Sequence, residues 1–292
     1  MADAQPHRRH GSRREARADA AAGNRAFYSA DLYYACLYKP LRVFDTWNSN
    51  GDDYFGELHG ESIAGKVNVD DVGFYPQVAV GRVPATSATE VTRYVNKVIA
   101  YEFGVYQSPW AKRAVLVATR DWLEDMCETK QDIASNSLAG YTIHRLYQSG
   151  NQCIATESPT SANINAKLNA GARFFNYLGH GNPSDLAIPG DPYNAADLAG
   201  LTNANMPTIV FAGACDTAGF ATLPPYQPYT DINGGHHRGT KAGEVFTSLP
   251  PQPAALQTVD NPSCFAESML VSSNNGAVGY VGCVTGAQPF AR

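Results

Sequence analysis

From residue 77 onward, short strand-like runs alternate with stretches of helical spacing, and this alternation limits the fold more than any other feature of the chain. Strand-length apolar runs occur at Ala114–Thr119, Tyr141–Tyr147, Arg173–Gly179, Thr208–Ala214 and Ala277–Gly282, and Gln77–Val83 alternates as a further short strand ending at Pro84. Between them the spacing predicts helices. Ser87 and Glu90 form a capping-box pattern, and Val91, Tyr94, Val95, Val98 and Ile99 follow on one helical stripe to about Phe103. Gln131–Ala139 reads as a helix closed by Gly140, Thr160–Asn169 as another, Ala195–Leu201 as a short one and Cys264–Val271 as the last. Strands that alternate with helices need crossover connections, so the expectation is an α/β fold with a mostly parallel sheet covered on both faces.

A chain of 292 residues has room for one large domain or two small ones. Its net charge of −5 argues against a nucleic-acid partner, which would require a basic face. Charged residues are only 17% of the chain, with Gly 26, Pro 18 and Tyr 16, a balance that suits an exported protein with a polar, uncharged surface. The uncharged run from Ser268 to Ala291 is broken at Ser272–Gly276, so no transmembrane segment is expected. Residues 1–26 carry Arg8, Arg9, Arg13, Arg14, Arg17 and Arg25 and almost no large apolar side chain. They lack the apolar core of a signal peptide and read as a disordered tail, because they can bury too little to offset their ordering entropy. The body is then 27–292, interrupted by a Pro/Gly/His-rich insertion at 221–262. The cysteines at 36, 127, 153, 215, 264 and 283 include no CxxC pair, so a zinc ribbon is not indicated. Their even number permits disulfides, although a chain of this length does not need them.

Reactive groups in parallel sheets collect beyond the carboxyl ends of the strands. Two of the runs end on such groups. Phe174–Gly179 leads straight into His180 and Gly181, and Thr208–Ala214 leads into Cys215 on a turn of small residues. If the two strands are neighbours, a thiol and a base share one sheet edge, which is what nucleophilic acyl transfer needs. The glycines would admit a substrate backbone and leave amide groups for an oxyanion. The same residues also admit a plainer reading, with Cys215 a small buried hydrophobe and His180 structural. No GxSxG elbow is present, which disfavours a serine hydrolase.

These residues carry a resemblance. Asn176-Tyr-Leu-Gly-His-Gly181 and Ala214-Cys-Asp-Thr-Ala-Gly-Phe220 resemble the two active-site motifs of the gingipain family of cysteine endopeptidases, in the caspase-like clan. Ser29–Ala35, Val78–Pro84, Tyr94–Glu102, Cys264–Leu270 and Gly276–Gly282 agree in the same order, so the resemblance runs from about residue 27 to the end. It implies a caspase-like three-layer sandwich, apparently without the family's N-terminal part, and a secreted or cell-surface endopeptidase acting on protein or peptide substrates. Cys215 would be the nucleophile and His180 the proton carrier, with Asp121 supporting the histidine. The amides of Gly181 and Cys215 would form the oxyanion hole. Asp132 would sit in the S1 pocket and pair bidentately with a P1 arginine, unless it is only a carboxylate placed at a helix start. The alternative is an inactive member of the same family that binds peptides or serves as a structural module. No cofactor for catalysis is implied.

One loop suggests a structural metal. Asn48, Asn50, Asp52 and the backbone of Tyr54 place oxygens at alternate positions, as in calcium loops, and relatives in the family often bind structural calcium here. Asn at the first position and His59 where a closing acid would fall weaken the pattern; the alternative is an Asx-turn loop. His236 and His237 lie in the Gly-rich insertion and read as solvated loop residues, and His144 as a structural strand residue.

Overall fold

Five stretches pair side by side, every pairing parallel, in a computed structural model of the chain: β1 (Arg113–Ala118), β2 (Thr142–Tyr147), β3 (Phe174–Leu178), β4 (Thr208–Gly213) and β5 (Ala277–Gly282). The residues described are 14–19, 24–29, 31–51, 55–56, 58–63, 66–105, 108–120, 126–150, 152–220, 228–239, 242–246, 250–251, 254 and 263–284. The order across the sheet is β5-β4-β3-β1-β2. From β1 the chain first steps outward to β2. It then crosses back over β1 to β3 and continues the other way. Because such crossovers are right-handed, this reversal puts the connecting helices on opposite faces. Accordingly α2 (Cys127–Asp132) packs on one face, with Ala114, Leu116, Ala118, Met126, Ala134 and Leu138. On the other face, α3 (Ser161–Asn169) and α4 (Phe265–Val271) bury Ile164, Leu168, Phe265 and Met269 against Val115, Val117, Phe175, Tyr177 and Val210. The outcome is the three-layer α/β arrangement with a parallel sheet that the alternating pattern predicts.

The helix before β1, α1 (Ala88–Gly104), starts where the capping box predicts. The Ser87 hydroxyl accepts from the Glu90 amide at 3.3 Å, and the Glu90 carboxylate accepts from the Ser87 amide at 3.2 Å. From the interior of α1, buried Lys97 donates to the carbonyls of Met269 and Asn275 at 3.1 and 3.0 Å, tying α1 to the end of α4. Burial, with the nearby Arg93 charge, brings this ammonium down to about 8. Helix α2 begins at Cys127, earlier than the predicted Gln131, and continues as a wider turn over Ile133–Ser137. Its first residue is bonded to Cys153 in a disulfide, with the Cα atoms 6.0 Å apart. Gln77–Val83 is not a strand. Its apolar side chains Val78 and Val80 are exposed, and Gln77 instead uses its side chain to accept from the Leu37 and Tyr38 amides. Alternation without a partner strand leaves the backbone to other contacts.

The chain divides into two units, residues 1–82 with 221–261, and 83–220 with 262–292. The parallel sheet belongs to the second. In the first, Arg14–Asp19 and Asn24–Ser29 form an antiparallel hairpin with Arg14 opposite Ser29, and Arg17 pairs in parallel with Leu58. Within the stretch expected to be a tail, residues 14–19 and 24–26 thus pair through backbone groups, which needs no large apolar side chain. Trp47 packs edge-on against Tyr33 and Phe74 and donates to the Cys36 carbonyl at 3.1 Å. The Pro/Gly/His-rich stretch supplies the rest of this unit and contains a two-residue ladder, Tyr229–Thr230 with His236–His237. Among the described residues, no helix is long and apolar enough to cross a membrane.

The least expected core residue is Lys130. It points from α2 into the sheet, is 2% exposed, and donates to the Asn176 side-chain oxygen. Burial pulls its ammonium down to about 7. In the unfolded chain it titrates near 10.4. Between these values the unfolded state binds more protons, so stability rises with pH across about 7 to 10, and the burial cost is fully present below that range. Lys130→Met is expected to flatten this rise. Chemical denaturation at pH 6.5 and 9.5 checks it, and an unchanged pH slope in the variant would show that the lysine is not the cause.

Candidate active site

Strands β3 and β4 are neighbours, and their pairing ends with Leu178 opposite Gly213. The Gly179 amide still donates to the Gly213 carbonyl, at 3.2 Å. His180 and Cys215 each follow two residues after that last pair, so both leave the sheet at the same level on the same edge. His180 also stands beside β1, next to the point where the strand order reverses, where α/β sheets open a crevice, with Cys215 one strand further on. His180 is exposed and Cys215 half-buried. The backbone of His180 is held twice, its carbonyl accepting from the Tyr177 hydroxyl at 2.7 Å and from the Ala187 amide at 3.0 Å. A short turn follows, in which Asn182 accepts from the Ser184 amide and donates to Asp185, both at 2.8 Å.

Gly181 explains how close the two loops come. A β-carbon there would stand 2.8 Å from the Ala214 β-carbon, 2.8 Å from the Thr217 methyl and 3.0 Å from the Cys215 carbonyl oxygen. On the other side, the chain after Cys215 turns sharply. Asp216 takes a left-handed φ of 57°, a conformation Asp tolerates better than most residues, and burial pushes its carboxyl upward. The turn is closed by Gly219 donating to the Asp216 carbonyl at 2.9 Å and by Ala218 donating to the Cys283 carbonyl at 2.9 Å. The first amides of α4 then reach both loops: Phe265 donates to the Pro183 carbonyl at 2.7 Å and Ala266 to the Thr217 carbonyl at 3.0 Å. Cys264 precedes this helix, and its amide donates to Glu267 at 2.6 Å. Burial pushes its thiol up to about 12, so it is no nucleophile. Sequence reasoning missed Pro183, Thr217 and Cys283 as parts of this edge. The signal available was the Cys264-to-Glu267 spacing, which marks a helix start.

Asp132 is the last residue of α2 rather than its first; its carboxylate is exposed and accepts from Asn136 at 2.6 Å. Asp132 therefore stands as an exposed carboxylate at a helix end, not at the helix start read from the sequence. The earlier start of α2 at Cys127 accounts for the difference. Asp121 lies outside the described residues, as do Asp52 and Tyr54 of the proposed calcium loop. In that loop the Asn48 side-chain oxygen accepts from the Gly51 amide at 2.9 Å. Its neighbour Ser49 meets an ammonium: Lys39 donates to the Ser49 hydroxyl at 2.5 Å and to the Asp70 carbonyl at 3.0 Å. His237 is not a solvated loop residue. Its ring nitrogens meet Asp231 at 3.1 Å and Glu244 at 3.0 Å, and it stacks on Tyr229 at 4.6 Å. His144 is partly buried, and that burial lowers its imidazole.

Comparison with known proteins places this edge in context. The model of peptidase family C25 matches residues 22–289. Lys-gingipain HG66 of Porphyromonas gingivalis is 26% identical over 154 residues, which is 51% of this chain and 8% of that protein. Among solved structures, the Arg-specific cysteine proteinase gingipain R is 18% identical with a TM-score of 0.49, over 74% of this chain and 42% of its own. A complex of pro- and mature domains of a Porphyromonas gingivalis gingipain is 18% identical with a TM-score of 0.47, over 73% of this chain and 42% of its own. The chain thus spans less than half the length of these relatives.

The contact at Gly181 gives a direct test of the geometry. Gly181→Ala must push the two loops apart and is expected to cost about 1–3 kcal/mol, the usual range for an overpacked site. Gly81→Ala, with open space around the new methyl, is expected to change stability by less than about 0.5 kcal/mol. Equal melting of both variants would mean that the loops are not in contact.

Proposed function

The chain belongs to peptidase family C25, and from that premise we propose that it is a cysteine endopeptidase whose nucleophile is Cys215 and whose general acid and base is His180. The observation that carries this reading is the pairing of β3 with β4, which sends both residues off one edge at one level, with Gly181 against the Cys215 carbonyl. The Cys215 thiolate attacks the scissile carbonyl carbon. The resulting oxyanion is taken by the backbone amides of Gly181 and Cys215. His180 gives a proton to the departing amine as the C–N bond breaks, leaving a thioester. Water then attacks the thioester with His180 as base, releasing the acid and restoring the thiol. In this reading Asp121 orients His180, substrates are proteins or peptides, and the protein acts outside the cell.

Arginine at P1 is the finer part of the proposal. Asp132 supports it as an exposed carboxylate, which solvent screens, so its share of specificity is small.

Irreversible labelling with a peptidyl chloromethyl ketone, followed by mass mapping, is expected to modify Cys215. Cys215→Ala should abolish hydrolysis and labelling, and His180→Ala should lower kcat by at least about 100-fold. Substituting Cys36 should leave the chemical step intact; equal loss there would mean a misassigned nucleophile. A label that never reaches Cys215 in the folded chain would favour an inactive, peptide-binding member of the family.

Asp132→Asn is expected to reduce turnover after arginine by less than about fivefold, the range of an exposed ion pair. A loss of about 100-fold would show that Asp132 is desolvated by the substrate and carries the pocket.

A further inference from the structure

A second thiol borders the proposed nucleophile, and the proposed mechanism leaves it without a role. Strand β5 lies beside β4 in parallel, with Gly282 opposite Ala212. Cys283 is the next residue and leaves the sheet on the same edge as Cys215. In that register Cys283 stands level with Gly213, two residues before Cys215, so a disulfide between the two needs the Cys215 turn to fold back toward β5. The turn after Cys215 folds back over this residue: the Ala218 amide donates to the Cys283 carbonyl at 2.9 Å. The Ala214 amide, just before the nucleophile, donates to the Cys283 sulfur. Cys283 is half-buried and neither thiol is in a disulfide. The described disulfide is elsewhere, between Cys127 and Cys153.

We propose that Cys283 is a resolving thiol, so that peroxide oxidation of Cys215 ends in an intramolecular Cys215–Cys283 disulfide that reversibly silences the site. The proposal rests on the reading of Cys215 as a thiolate nucleophile. The Cys215 thiolate attacks one oxygen of hydrogen peroxide, the O–O bond breaks, and hydroxide leaves and takes up a proton as water. This gives a sulfenic acid at Cys215. The Cys283 sulfur then attacks the Cys215 sulfur. The S–O bond breaks, and the hydroxide leaves as water with the Cys283 proton. Two thiols and one peroxide become one disulfide and two waters. Burial and the charges of Cys215 and Asp216 hold the Cys283 thiol above its ordinary value, so at rest it stays protonated and does not compete for substrate. A thiol reductant reverses the bond, whereas sulfinic acid would be permanent.

The test uses the full chain, reduced and then exposed to hydrogen peroxide. Remaining thiols are blocked with N-ethylmaleimide, and the digest is mass-mapped without reduction. The expected product is a Cys215–Cys283 linked peptide that disappears with dithiothreitol as Cys215 labelling returns. In Cys283→Ser, Cys215 should instead reach sulfinic acid and not recover. Cys215 found as sulfinic acid in the parent chain, or linked to Cys36 or Cys264, with Cys283 carrying the maleimide, would overturn the proposal. The linked peptide is read without any peptidase assay. A chain that forms it but never hydrolyses peptide keeps this inference and loses the functional one, and the converse outcome separates them equally.

Discussion

Two backbone hydrogen bonds at the start of α4 hold the candidate site together. Phe265 and Ala266 give their amides to Pro183 on the loop after His180 and to Thr217 on the loop after Cys215. The first amides of a helix have no partner inside it, so they are free to serve elsewhere. Here they fix two loops that the sheet alone would only launch from the same edge. Sheet register sets the level of both residues, and the helix sets how far the loops spread beyond it. Gly181 is the point where that spread is smallest, and its missing side chain is what lets the Cys215 turn come close.

Strand pairing and local signals made much of this legible in the sequence. The capping box at Ser87, the helix over Thr160–Asn169 and the apolar runs of β1, β3 and β4 are local patterns, and each appears where its chemistry predicts. His180 and Cys215 were readable because strand ends can be counted. What was not readable depended on distant parts of the chain. Gln77–Val83 has the alternation of a strand but no neighbour to pair with, so Val78 and Val80 stay exposed. Arg14–Asp19 has no apolar side chain larger than alanine but pairs through its backbone. Asp132 changed meaning because α2 begins earlier, after Met126, where no Ser, Thr, Asp or Asn marks the start.

Charge inside this protein is handled in two ways. Lys97 and Lys130 lie buried and bonded to carbonyl or amide oxygens, and burial lowers both. His237 is treated in the opposite manner. Burial pulls it down, but the bonds to Glu244 and Asp231 outweigh that and raise its imidazole above the ordinary value. Its contribution is present at low pH and fades as pH rises through that raised value. The contribution of Asp231, whose carboxylate the His237 bond lowers, fades as pH falls. The clamp around the Tyr229 ladder is therefore strongest in a window between the two.

The division of the chain has a temporal consequence. Residues 1–82 share a unit with 221–261, while 83–220 share one with 262–292, so each unit is made of two pieces interleaved along the chain. A ribosome delivers these pieces in order. The first piece of one unit must wait until its complement at 221–261 has been made. β4 must likewise wait for β5, its neighbour, until Ala277 emerges. The entropy of closing so long a connection grows only slowly with its length, so the arrangement costs little at equilibrium. Its cost falls on the nascent chain, which carries the open edge of β4 until β5 has been made, and that edge is where a chaperone or a premature contact would act.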